Sequence, residues 1–229
     1  MAIILSLETS TSVCSVAIHE KGQLRALQEV NEPGAHAGKL MDLITACLEN
    51  SVLQIENLDA IAVSSGPGSY TGLRIGISAA KGLAFARNVP IIGVSSMEVL
   101  AHAARHEMNE RSLIIPLLDA RRMEVYAEVF NDTLDSVSGV RPVILGEGVF
   151  ENYLSQSVVC FIGDGVSKAK NIISHPNAKF SEASISARFM GEVAWKKFLI
   201  HDFEDLAYFA PDYLKEFKAL KSTKNPLLK

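Results

Sequence analysis

The stretch AIAVSSGPGSYTGLRIGISAAKGLAFAR, residues 60–87, contains a strand, a turn and a helix in immediate succession. Ala60 to Ser64 is a short apolar run of the kind that makes a buried strand. Gly66 to Gly72 lets the backbone turn sharply and presents free N–H groups near the positive end of a helix. That arrangement suits an anion, and it suits a tight strand-to-helix turn equally well. No lysine follows in the Walker position, so the loop is not a P-loop. The helix over Thr71–Arg87 is nearly bare at Gly72, Gly76, Ala79, Ala80 and Gly82. Each glycine costs up to about 1 kcal/mol of helix propensity. In return another element can approach closely, either the chain's own sheet or a second subunit.

Upstream, Ile3–Leu7, Val13–Ile18 and Leu24–Val30 read as three strands joined by short connections, which makes them antiparallel neighbours. A helix over Ala35–Asn50 comes next, with Leu40, Leu43, Ile44, Cys47 and Leu48 at three- and four-residue spacing. Met41 and Ala37 widen that stripe. Downstream, Pro90–Val94 is a strand, and Ser95 with Glu98 forms a capping box for a helix reaching His106. Strand, helix, strand at this spacing implies a parallel crossover. The order of three antiparallel strands, then helix, strand, helix, strand, helix is that of one lobe of the actin, Hsp70 and sugar-kinase superfold. The expected class is therefore α/β, with two lobes each made of a mixed sheet and helices, the second lobe reduced.

The first lobe is assigned to residues 1–108 and the second, smaller one to 109–229. In the second, Leu113–Leu118 and Met123–Phe130 form a pair around Asp119-Ala120-Arg121-Arg122. Val140–Leu145 and Val158–Ile162 are further strands, and Lys168–Ser174 and Ser184–Leu199 read as helices, the last with Ile185, Phe189, Val193 and Trp195 inward. The tail after Pro211-Asp212-Tyr213-Leu214-Lys215 is polar and basic and is read as loose. No internal repeat is visible.

A chain of 229 residues, 48% of them apolar, can bury a real core. Its net charge of −4 argues against a strong free-standing nucleic-acid binder. Cys14, Cys47 and Cys160 lie far apart among apolar neighbours, with no CxxC pair, which suits burial in a reducing compartment. The start, MAIILSLETSTS, has no basic n-region and reads as a first strand. No run approaches the roughly 18 apolar residues of a membrane span. The expectation is a cytoplasmic protein without membrane contact.

SSGPGSYTGLRIGISAAKGLA, residues 64–84, closely resembles the signature of the TsaB (YeaZ) family. LSLETSTSVCSVAI, LLDARRMEVYAEVF and PDYLK at Pro211–Lys215 agree as well, so the resemblance spans most of the chain. It implies participation in making threonylcarbamoyladenosine in tRNAs that read ANN codons. It further implies a non-catalytic partner of a TsaD-type transferase, with a TsaE-type ATPase in the complex and tRNA met only indirectly. Alone, such a chain is expected to pair with itself. The resembling TsaD segment carries two metal-binding histidines four apart. Those positions fall here on Ser96 and Leu100, and leucine cannot coordinate a metal. His102 and His106 are four apart but sit later on the helix, and read as solvent-side or core-edge residues.

No catalytic residue, metal site or cofactor is assigned, and any bound nucleotide is expected only within a complex. The candidate nucleotide residues are Glu8, Thr9 and Ser10, with Gly163 and Gly165 in a later turn. Glu8 stands where the superfold usually has aspartate. A Thr/Ser-rich turn satisfying its own backbone is the competing reading there, and Gly163-Asp164-Gly165 can be an ordinary strand-to-helix turn. The candidate interface comprises Leu40, Leu43, Ile44, Gly68, Tyr70, Gly72, Arg74, Gly76 and Ala80. Asp119, Arg121, Arg122 and Glu124 form a charged cluster open to three readings: oxyanion binding, mutual satisfaction or a subunit contact. Neither HExxH nor GxSxG is present. A nucleotide-dependent enzyme of the kinase superfold is the alternative, and a metallopeptidase a more distant one.

Overall fold

The computed structural model describes residues 2–32, 34–108 and 111–214. Three strands lead: β1 (Ile3–Glu8), β2 (Val13–Glu20) and β3 (Gln23–Asn31). Then come α1 (His36–Asn50), β4 (Ala60–Gly66), α2 (Tyr70–Arg87), β5 (Ile91–Ser95) and α3 (Ser96–Glu107). The first sheet has the order β3-β2-β1-β4-β5. β1, β2 and β3 pair antiparallel, while β4 and β5 join in parallel through helical crossovers. The expected element order is confirmed, and so is the capping box, with both the Ser95 and Glu98 side-chain bonds made.

The second half contains β6 (Leu113–Asp119), β7 (Glu124–Ala127), β8 (Arg141–Ile144), α4 (Glu151–Leu154), β9 (Val159–Ile162), α5 (Val166–Ala169), β10 (Ala178–Phe180) and α6 (Gly191–Leu199). Its sheet has the order β10-β9-β6-β7-β8. Strand for strand this duplicates the first sheet, with β6–β8 antiparallel and β9 and β10 parallel. The repeat is one of topology, so nothing in the residues announced it. The fold is the two-lobed α/β arrangement that the pattern implied.

Layering comes from the pleat, because successive side chains point to opposite faces. Leu5, Leu7, Val16, Ile18, Ile61 and Val63 pack under α1 and α2. Ile4, Ala17, Ala62, Ile92 and Val94 face the other way, onto α3 and the segment around α6. That same cluster takes in Ile114, Leu118, Cys160 and Ile162, so α3 is shared between the two sheets. The far face of the second sheet is closed by α4 and α5, through Phe150, Leu154, Val166 and Ala169. The three cysteines are buried and unpaired.

Three sequence expectations change. The helix read over Lys168–Ser174 is a single turn, α5, beginning earlier at Val166. The helix read over Ser184–Leu199 starts as a 3-10 turn, Ala187–Met190, because Ser186 is extended and its hydroxyl caps the Arg188 N–H at 3.2 Å. Residues 186–212 also leave the second sheet and return to the first, although they lie in the half assigned to the second lobe. The Ala187 N–H donates to Ser15 Oγ at 2.6 Å, and Ser186 Oγ donates to Glu29 at 2.8 Å. His19, wholly buried, bridges Ser6 Oγ (3.0 Å) and the Arg188 carbonyl (3.2 Å). Burial pushes its imidazole down to about 4. Asn109, Lys215 and the basic tail lie outside the described residues.

Candidate functional site

β1 ends in the turn Glu8-Thr9-Ser10, whose three residues are fully or almost fully buried. The Ser10 N–H donates to Glu8 Oε1 at 2.6 Å, and the Thr9 N–H donates to Ser64 Oγ at 3.3 Å. The Ser10 N–H is thus satisfied within the turn and that of Thr9 by β4. Glu8 Oε2 and Thr9 Oγ1 have no hydrogen-bond partner among the described residues. Burial pushes the Glu8 carboxyl above the usual carboxylate range, against the hydrogen bonds at Ser10.

The glycine-rich loop and α2 cover the next two residues, Thr9 and Ser10. A Cβ on Gly68 would lie 2.4 Å from the Ser10 carbonyl oxygen, on Gly72 2.1 Å from that of Thr9, and on Gly76 2.2 Å from Thr9 Oγ1. The glycine-rich loop and the first turns of the helix therefore fill the space over Glu8–Ser10. The Ser69 N–H donates to the Ser10 carbonyl and Ser69 Oγ caps the Gly72 N–H, so loop and turn are tied together.

Most of the residues expected at an interface are thus spent inside the chain. Gly68, Gly72 and Gly76 face the chain's own turn, and Ala80 is fully buried. Leu40 and Ile44 are core residues beneath α1, with Leu43 at the core edge. The bare surface lies on the opposite side of both helices. Met41 is 52% and Phe85 79% exposed, and a Cβ on Gly38 or Gly82 would meet nothing within 4 Å. Periodicity locates an apolar face, but it could not say which of two small-residue faces was covered.

Tyr70 and Arg74 stay at the surface, where the chain's own end engages them. The Tyr70 and Tyr213 rings lie 4.7 Å apart, Arg74 sits 4.0 Å over Tyr70, and Arg74 Nε donates to Tyr213 Oη at 2.8 Å. The Asp212 N–H donates to the Ser65 carbonyl, and Lys81 Nζ donates to the carbonyls of Ala207 and Phe209. The PDYL segment thus straps the glycine-rich loop. Beside it is a cleft of about 210 Å³ between Gly66, Ser95, Val140 and Tyr213.

In the second lobe, a Cβ on Gly163 would lie 2.5 Å from the Leu117 carbonyl oxygen, and on Gly165 3.0 Å from it. This strand-to-helix turn is closed against β6. Asp164 Oδ1 accepts the Asp119 N–H at 2.8 Å, while burial pushes the Asp164 carboxyl upward. Asp119 Oδ1 takes Lys168 Nζ at 2.6 Å and the Arg121 N–H at 2.6 Å. Arg121 and Arg122 are exposed in the β6–β7 turn.

Ser96 and Leu100 are both fully buried. His102 Nδ1 lies 3.7 Å from Glu192 Oε2, and His106 packs on Phe189 with ring centroids 5.8 Å apart. Both histidines meet the returning segment. Among the described residues no three His, Cys, Asp or Glu side chains are grouped to hold a metal, and no helix is long and apolar enough to cross a membrane.

A family model described as TsaD, tRNA N6-adenosine threonylcarbamoyltransferase, matches residues 33–221. The tRNA threonylcarbamoyladenosine biosynthesis protein TsaB of Bacillus subtilis is 30% identical over 217 residues, 93% of each chain. The TsaB protein of Haemophilus influenzae is 37% identical over 123 residues, 54% of this chain and 51% of that one. The chain thus spans about half the length of that relative. The structure titled YeaZ from Pseudomonas aeruginosa superposes with a TM-score of 0.83 at 26% identity, covering 93% of this chain and all of that one. With the family model matched over most of its length, and the Bacillus subtilis protein aligned almost from end to end, the chain belongs to the TsaB family.

Proposed function

We propose that this chain is a non-catalytic subunit of the machinery that forms threonylcarbamoyladenosine in tRNA. On this reading it binds a TsaD-type transferase and keeps that subunit competent, alongside a TsaE-type ATPase, in the cytoplasm. The observation that carries the reading is the outer face of α1 and α2. There Gly38, Met41, Gly82 and Phe85 leave an apolar, small-residue surface that no described residue covers. Large apolar side chains with room for close backbone approach suit a helical partner. Without the transferase, the same face would pair two copies of this chain.

The two candidate nucleotide turns support a role without chemistry of its own. One is filled by α2 and the other is closed against β6. We therefore assign no cofactor, and neither alternative enzyme reading gains an observation in its favour.

The decisive experiment is reconstitution of tRNA modification with and without the chain. Full activity without it removes the proposal. Capture of the transferase should be lost with Phe85→Asp or Gly82→Arg while the fold is kept. Undiminished capture by both would move the interface elsewhere.

A further inference from the structure

The β6–β7 turn contains two successive non-glycine residues in the left-handed region, Arg121 at φ 72° and Arg122 at φ 48°. Such a conformation is uncommon for one residue, and two in a row persist only when their surroundings impose them. The imposing contacts are visible. Asp119 Oδ1 accepts the Arg121 N–H at 2.6 Å, and the Ala120 N–H and Glu124 carbonyl close the turn at 3.0 Å. Asp119 is itself held by Lys168 Nζ and, through its own N–H, by Asp164. Asp119 is thereby committed to Lys168. Among the described residues, neither Arg121 nor Arg122 makes an ion pair. A rigid, strained turn thus holds two adjacent exposed guanidinium groups that make no ion pair among the described residues.

We propose that Arg121 and Arg122 are an oxyanion-binding pair for backbone phosphates of the RNA on which the complex acts. The inference rests on the functional reading above and deepens it, turning an indirect encounter with tRNA into a direct one. Guanidinium forks match phosphate oxygens in bidentate geometry, and a turn already fixed loses little freedom on binding. Asp119 is a positioning residue, since it acts by holding the turn.

The test measures binding of the full chain to a transcript of an ANN-reading tRNA by fluorescence anisotropy across a salt series. Loss of two phosphate contacts should lower the slope of log affinity against log salt by about 1.4–1.8 in R121Q/R122Q. Arg141→Gln, on the exposed β8, should change nothing. An unchanged slope in folded R121Q/R122Q overturns the proposal. So does the absence of RNA binding by the wild type, or an equal loss with Arg141→Gln. If the double variant instead loses the transferase at an unchanged RNA slope, the pair contacts protein and the proposal falls. If the slope falls but modification proceeds without the chain, the RNA site stands and the subunit reading fails.

Discussion

The two sheets share one topology, and in each the leading strand turns into its antiparallel partner: at Glu8–Ser12 in the first and Asp119–Met123 in the second. In the first lobe the turn lies under the glycines of α2, and its carboxylate is shut away from water. In the second lobe no long helix comes after β9. The one-turn α5 covers only the base of the turn through Asp164 and Lys168, and the arginines emerge into solvent. Both sheets have helices on both faces and a mostly exposed edge strand, β3 in the first and β8 in the second, so the difference lies at the turns. The element after the fourth strand of each sheet is an 18-residue helix in one lobe and a single turn in the other. Its length decides whether the same turn becomes core or surface.

The contrast can be broken most directly at α2. Gly72→Val puts side-chain atoms onto a backbone carbonyl that cannot rotate away, and should cost about 3 kcal/mol in urea denaturation. A loss within error would mean that the turn is less tightly covered than it looks. The next effect is on pH. His19 has its pKa depressed from 6.5 to about 4, so the unfolded state binds more protons between those values. Stability should therefore fall as pH drops from 6.5 towards 4, by up to about 3 kcal/mol. His19→Gln should lack that acid-side loss, and parallel profiles for the two proteins would refute the linkage.

Glu8 acts with the opposite sign. Its folded pKa is raised, so the folded state holds the extra proton, and stability declines as pH rises above about 4.5. The slope contributed is at most about 1.4 kcal/mol per pH unit, and Glu8→Gln should flatten it. In the open second turn, Asp119→Asn should cost only about 1 kcal/mol or less, because Asp119 is half-exposed. A larger loss by thermal melting would show that turn to be as structural as the first. Smallest is Gly82→Ala on the uncovered side of α2. With nothing within 4 Å of the new methyl it should stabilise by about 0.5–1 kcal/mol, in contrast to Gly72 on the same helix.

The legible parts were those governed by local pattern. Alternation and spacing gave β1 through α3 nearly residue for residue, since each of those elements has its own amphipathic face and its own stop signals. Ser95 and Glu98 are a capping box in sequence and in space, because the interaction spans only three residues. The short elements α4 and β10 carried no such signal, being too brief for a period to show. The seam at Ser15, His19 and Ser186 joins residues more than 160 positions apart, and no local pattern encodes it.

The candidate site divides along the same line. From sequence alone came the family signature, the strand–loop–helix around Gly66–Gly72, the absence of a P-loop lysine, and the residues unfit for a metal where a histidine pair would stand. Those depend on residue identity and near-neighbour spacing. Tertiary structure alone decided which face of α2 is spent on Thr9 and Ser10 and which stays exposed among the described residues. It also decided that Arg121 and Arg122, one motif among several in the sequence, are exposed and make no ion pair among the described residues. Both outcomes depend on which distant backbone comes to lie against a side chain, and that is fixed only once the two sheets have folded around α3.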